Sequence, residues 1–393
     1  MKRIILTLFL IFFVLLFVNC SSPDPDSENN NITFSNPINI TNTSNMVSNS
    51  TMVLDNSGNI IFLWQEKIPA DNWEIMFIRS TDKGSTWSVP VNISNNAALS
   101  VSPEISFNSV NDLYVVWDDS TPGNREIFFI RSTDNGLTWS SPLNISKTNT
   151  DGSYLPSIAL SSTGIIYVVW MEWNGDRDIF FSRSTDNGNT WSLPVIIYND
   201  TGLSIGPEII DDGIGNLYVV WEDMIAAKSE TFFSRSTDNG SNWSLPVNIS
   251  NNNGSSYGPK LSTDSLGNLN VAWIDTTPGN WDIFFNRSTD SGTTWSLPIN
   301  ISNNPGKSTG YDIATDNFGK INFSWSDNTS GGEILFSRST DNGATWSSAL
   351  NISGVTANLT SAEITVDSAG NIYMMWFDNN SGIRELYFCR SIQ

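Results

Sequence analysis

The sequence predicts an all-β fold, a seven-bladed β-propeller with four antiparallel strands per blade, and three observations carry that prediction. An octapeptide of the form Ser-Thr-Asp-x-Gly-x-Thr/Asn-Trp recurs six times at a period of 51–52 residues, ending on Trp87, Trp139, Trp191, Trp243, Trp295 and Trp346. An apolar run closing in Trp-x-acid recurs seven times and ends on Glu66, Asp119, Glu172, Asp223, Asp275, Asp327 and Asp378. The repeat region opens with Thr33–Thr41, which aligns with Thr138–Ser146 after an octapeptide. It closes on Tyr387–Ser391, which aligns with the residues before one. Four-stranded units repeated at this period are the signature of propeller blades.

Each repeat reads as four strands. The first is of the type Ser102–Phe107 and ends in a turn such as Asp55-Asn56-Ser57-Gly58-Asn59, where Gly and Asx residues supply turn chemistry. The second, Leu113–Trp117, is β-branched and aromatic, as strands are. The third, Arg125–Arg131, is apolar on both alternating faces, which suits a sheet covered on both sides. The fourth, Thr138–Ser146, contains Pro142. Proline has no N–H to give a ladder, so this strand lies at the outer edge. Six octapeptides with seven second strands leave one unit split between the termini. Thr33–Thr41 is therefore expected to complete the last blade and close the ring, covering two open sheet edges.

The N-terminus reads as an address. Met1-Lys2-Arg3 precedes an apolar run from Ile4 to Val18, too short for a membrane span of about 20 residues and typical of a signal peptide. Leu16–Ser22 resembles a lipoprotein lipobox of the relaxed kind found in spirochaetes, with Asn19 in place of the usual small residue before Cys20. That resemblance implies residues 1–19 as signal peptide and Cys20 as the lipidated residue; the polar, Pro-containing, acidic stretch that follows makes residues 20–32 an expected disordered tether, and the repeats make residues 33–393 the propeller. A lipid-anchored protein of the outer membrane and cell surface is expected, with the acyl chains as its only hold on the membrane. The second cysteine, Cys389, falls at a strand position held elsewhere by Ser, Ile or Asn and is expected to be a small packed residue.

Charge narrows the function. Forty acidic and 19 basic residues give a formal net charge of −21, which argues against nucleic acid and anionic headgroups as partners. The absence of His removes histidine acid–base chemistry and His-ligated metals. The octapeptide resembles the Asp box of the BNR-repeat propellers of the sialidase-like superfamily. In that family it is a structural turn between third and fourth strands. The resemblance implies that Asp82, Asp134, Asp186, Asp238, Asp290 and Asp341 hold their own turns and that Trp87 and its equivalents pack between blades. Sialidases of this superfamily usually have six blades, three substrate-binding Arg and a Tyr/Glu pair. Of the ten Arg that follow the N-terminal segment, seven are repeat positions, only Arg125, Arg177 and Arg384 are left over, and no Arg-Ile-Pro exists.

Strand order assigns the rims. Asp boxes and first-to-second turns share one; second-to-third and fourth-to-first loops share the other, where ligand sites of such propellers lie. On that second rim the Trp-x-acid set forms a candidate acidic ring for Ca²⁺ or a basic partner, or else a set of acids bonded within their own loops. Acids at the starts of third strands (Glu74, Glu126, Asp178, Glu230, Asp282, Glu333, Glu385) reinforce it. Three Trp outside both repeat elements, Trp73, Trp173 and Trp281, are expected in or beside second-to-third loops, and Tyr154, Tyr257 and Tyr311 in fourth-to-first loops near the channel. The repeat Arg are expected to pair with turn acids such as Asp55, Asp211, Asp264, Asp316 and Asp367. The reading is a monomeric, non-catalytic binding or scaffold propeller for a glycan or protein, needing no cofactor. The alternative is a glycan hydrolase using two rim carboxylates about 5–9.5 Å apart.

Overall fold

The computed structural model describes residues 32–392 except 69–71, 149–151, 199–201, 226 and 356–357. The expected signal peptide, Cys20 and all of the expected tether but Ile32 lie outside the described residues. Seven antiparallel sheets form the ring: blade 1 spans 47–92, blade 2 100–144, blade 3 152–198, blade 4 204–248, blade 5 256–300, blade 6 308–351 and blade 7 359–392. In each, the strands pair in sequence order from the innermost outward.

Closure is as the sequence predicts. Thr33–Phe34 and Ile38–Asn39 both pair with the last strand, Glu385–Ile392. Ser35 N–H and Ile40 N–H donate to Arg390 O and Leu386 O at 2.8 Å each. The outer strands are shorter than the nine residues expected: only Leu143–Asn144 pair in blade 2. Pro142 cannot donate, and upstream of it Ser140 holds the chain to the third strand through its N–H to Arg131 O at 2.9 Å and its Oγ, which accepts Arg131 N–H at 3.0 Å.

The core lies between blades. Ile61, Leu63, Ile75 and Phe77 of blade 1 pack with Ile105, Val115 and Trp117 of blade 2, and the closing interface packs Phe62 and Trp64 against Met375 and Phe388 of blade 7 in the same way. All seven second-strand Trp are buried. Cys389 is buried in the blade 6–7 interface, as its alignment suggested, and burial raises its thiol pKa.

Candidate functional site

The Asp-box rim is explained by its own hydrogen bonds. In the first box, Ser80 Oγ donates to Asp82 Oδ1 and accepts Gly84 N–H, both at 2.8 Å. Asp82 also accepts Thr86 N–H at 2.8 Å and Thr86 Oγ–H at 2.6 Å. The Thr86 bonds hold the Asp82 pKa down at about 2, and the same network does so for Asp134. The box glycine, at φ +83 in Gly84, lies against a third-strand Phe of the preceding blade: Phe388 for Gly84, Phe129 for Gly188. Trp87 packs on Phe388 and Trp191 on Phe129, with centroids 5.3 and 5.1 Å apart, so the box Trp do pack between blades.

The repeat Arg take a different role from the one expected. Arg79, Arg131, Arg183, Arg235 and Arg390 donate to a carbonyl in the next blade's Asp box, as Arg131 does to Asn187 O at 2.5 Å. Arg287 binds a turn acid, Asp264, at 2.7 Å, and Arg338 donates to Asn322 Oδ1 at 2.8 Å. The turn acids instead cap their own turns: Asp55 Oδ1 accepts Ser57 and Asn59 N–H at 2.8 and 2.9 Å.

On the opposite rim the Trp-x-acid carboxylates are engaged inside their blades. Asp119 accepts from Trp117 Nε1 at 2.9 Å, Ser100 Oγ at 2.8 Å and Asn96 Nδ2 at 2.8 Å. Glu66, Glu172 and Asp275 also accept an indole N–H two residues upstream. Asp223 and Asp327 accept from Ser204 and Ser308 at the starts of inner strands. Asp378 accepts Asn380 N–H. The first six are buried. The third-strand acids hold the far end of the outer strand: Glu74 and Glu126 accept Ser94 and Ser146 hydroxyls, whose oxygens in turn accept Ile75 and Ile127 N–H. The recurring Asn-Ile-Ser is thus a strand clamp. Among the described residues no three His, Cys, Asp or Glu side chains are arranged to hold a metal.

The aromatic set divides. Trp173 and Trp281 are 37% and 38% exposed. Arg177 lies 4.5 Å from the Trp173 ring centroid. Trp281 stacks on Tyr257 at 5.9 Å, with Lys307 Nζ 5.1 Å from its centroid. Trp73 is half-buried at the start of a third strand, opposite Lys67. Tyr154, Tyr257 and Tyr311 are not in loops but in inner strands, Gly152–Leu160, Ser256–Thr263 and Ser308–Thr315. Tyr154 faces Arg125, 5.3 Å from its centroid. Tyr311 is buried and donates to Ala272 O at 3.1 Å, so it belongs to the blade 5–6 interface. The three spare Arg are each engaged locally: Arg125 with Asp118 at 3.1 Å, Arg177 with Trp173, and Arg384 with Ser48 and Thr360 at 3.1 and 2.9 Å.

The axis carries what the sequence reading missed. Every inner strand shifts register near its start, at a left-handed residue: Asn49, Ser102, Leu155, Gly206, Gly258, Gly310 and Ser361. Just beyond the shift, Thr51, Glu104, Glu208, Lys260, Asp312 and Glu363 line a central channel of about 610 Å³. Lys260 pairs with Glu208. Ser50 Oγ donates to Glu363 at 3.0 Å, and Ile364 N–H to Asp312 at 3.1 Å. Burial, then the Glu208 charge, pushes Glu104 up to about 8. Burial, opposed by Lys260, raises Asp312 to about 6. Burial works to lower the Lys260 pKa, but Glu208, Glu104 and Asp312 outweigh it and raise the pKa well above its usual value. The channel therefore holds a fixed cation among carboxyls, some of which keep protons at neutral pH. One signal was available: this strand position alternates between hydroxyl, acid and Lys from blade to blade while its neighbours repeat.

The BNR repeat-like domain model matches residues 107–311. No curated protein matches the sequence. Among solved structures, an ulvan lyase of the polysaccharide lyases, bound to -[GlcA(1-4)Rha3S]-, is similar with a TM-score of 0.62 at 13% identity, over 88% of this chain and 93% of that one. A protein of unknown function from Dyadobacter fermentans gives 0.55 at 15%, over 92% and 98%. NanB sialidase from Streptococcus pneumoniae gives 0.52 at 15%, over 93% and 72%. At such identities the likeness is one of fold. The repeat-family match, which spans more than half of the sequence and coincides with the blades and Asp boxes seen here, shows that the chain belongs to the BNR repeat-like domain family.

Proposed function

We propose that this protein is a lipid-anchored surface propeller that binds a glycan on the rim of the second-to-third loops, over the channel mouth, without turning it over. The observation that carries the reading is the stacked Tyr257–Trp281 pair, with Trp281 more than a third exposed. The blade scaffold does not require an aromatic at the Tyr257 position, since five of the other six blades have Ser48, Val101, Ile205, Thr309 or Thr360 there and only blade 3 repeats the ring, as Tyr154. Flat exposed rings beside polar groups suit the apolar faces of sugar rings. The acids of the same rim support binding over catalysis, because their oxygens are occupied by Trp, Ser and Asn of their own blades. Retention on a panel of immobilised polysaccharides tests this. Trp281→Ala and Trp173→Ala should weaken retention about tenfold or more, while Thr163→Ala, on the opposite rim, leaves it unchanged. Equal retention by all three variants would reject this face.

A second reading, a glycan-active enzyme, is favoured by one observation: Glu104 and Asp312 in the channel hold protons to about pH 8 and 6, as a general acid must. Release of oligosaccharide from any retained polysaccharide, abolished by Glu104→Gln, would establish it. For the anchor, Cys20→Ser should move the protein from the membrane to the soluble fraction and end palmitate labelling.

A further inference from the structure

The seven first-to-second turns form a ring around the axis on the Asp-box side. Neighbouring turns touch: Asn56 N–H donates to Asn111 Oδ1 at 3.1 Å, and Ser162 Oγ to Gly213 O at 2.5 Å. Each turn presents its tip by one device, an Asx, or in blade 3 a Ser, at its start. Tip N–H groups of Ile214, Leu266 and Phe318 donate to Asp212, Asp264 and Asp316 at 3.0, 2.9 and 2.9 Å. That device makes no demand on the tip side chain, for Ser57, Thr163 and Ala369 serve in other blades. Yet blade 2 carries Val110, exposed by 72%, and three successive blades carry the larger Ile214, Leu266 and Phe318, exposed by 85%, 85% and 69%. An apolar arc on adjacent turns, unneeded by the fold, calls for an apolar partner.

The point where the chain enters the ring says what that partner is. Thr33 pairs with Ile392, at the end of the last strand that reaches the Asp-box rim. Only eleven residues lie between Cys20 and Ile32, a reach of at most about 40 Å. An acyl group on Cys20 would therefore tether the body within that reach of a bilayer, from the rim that carries the apolar arc. We propose that this rim docks on the membrane surface, with Ile214, Leu266 and Phe318 entering the headgroup–acyl boundary of an uncharged leaflet and the opposite rim facing away. The net charge of −21 selects zwitterionic over anionic lipid. Tethering makes three shallow contacts sufficient, because it raises their effective concentration at the surface.

The proposal rests on the anchor reading, and two arms separate their failures. In the first, the acylated full chain is placed in phosphatidylcholine vesicles with one added thiol, Leu266→Cys, Phe318→Cys or Asn380→Cys, bearing a polarity-sensitive dye. Cys389 is buried and Cys20 is blocked by acylation, so only the added thiol reacts. The dye should shift to the blue and be quenched by headgroup-labelled lipid at 266 and 318, and remain in water at 380. In the second, unacylated Cys20→Ser full chain is sedimented with excess vesicles. Weak binding should fall about tenfold when Ile214, Leu266 and Phe318 are all changed to Ser, with the urea midpoint unchanged. Absence of palmitate labelling would remove the anchor and leave the second arm to decide. A dye at 266 that stays in water, vesicle binding indifferent to the three Ser changes, or a blue shift that needs protein concentration and no lipid, marking a second copy, would each overturn the docking.

Discussion

Replacing Gly188 by Ala tests the inter-blade contact that every Asp box repeats. Gly188 has φ +82, where an L-residue pays about 1–2 kcal/mol. Its new methyl would also overlap the Phe129 ring. That ring is buried and held by Trp191 and Tyr114 at centroid distances of 5.1 and 6.2 Å, so it cannot step aside, and overpacking of this kind costs about 1–3 kcal/mol. The expected loss is about 2–5 kcal/mol. Gly164, in the first-to-second turn of the same blade, is the control: φ is +85 but nothing lies within 4 Å of its added methyl, so Gly164→Ala should lose only the backbone part, about 1–2 kcal/mol. Urea unfolding followed by circular dichroism gives both numbers, read at equal slope. Phe129→Leu should cost less in the Gly188→Ala background than in the wild type, since the two sites couple through one contact. Equal losses for the two glycines, or additivity of Gly188→Ala and Phe129→Leu, would refute the view that the box glycine is kept for packing.

Other outcomes follow from charge and closure. The raised Glu104 pKa means its contribution is full below about pH 4.5 and lost as pH rises through about 8, so Glu104→Gln should raise the melting temperature at pH 9 and change it little at pH 4. The Asp boxes have the opposite sign: Asp82, Asp134 and Asp290 titrate at about 2, so their support is full above pH 4 and lost on acidification toward pH 2. An Asp134→Asn variant should show a shallower acid-unfolding profile by circular dichroism. Deleting residues 33–42 should open blade 7 and the blade 7–1 interface together, seen as a lower urea midpoint and binding of a hydrophobic dye.

What could be read in the sequence was what repeats. Asp82 and its five equivalents, the seven second-strand Trp and the split blade were all legible because the octapeptide and Trp-x-acid keep their spacing even where residues change. The ladders were overestimated at the outer strand, where Pro142 and its equivalents act on hydrogen bonds that spacing does not reveal. The rim acids were legible as a ring of groups bonded locally, but their partners were not: the hydroxyl that binds Asp119 comes from Ser100, a strand away, and its amide from Asn96 in the preceding loop. Tyr311 looked like a loop residue because the inner strand starts earlier than its apolar pattern, ahead of the register shift at Gly310. The channel was hidden for the same reason. Glu104, Glu208, Lys260, Asp312 and Glu363 are far apart in the chain, and only the radial arrangement of inner strands turns one strand position into one chamber.

Because Thr33–Asn39 completes a sheet whose other strands are the last to be synthesised, the ring has a built-in order of completion. The first strand made has no partner until residue 392 exists, since its ladder ends on Ile392 and Ser391. Contacts this distant in sequence form slowly. A chain crossing a membrane N-terminus first would carry an unsatisfied edge throughout its passage, and one that stops short of the final strand can never satisfy it. Such truncated products would keep an open sheet edge, the feature that invites pairing with other extended chain.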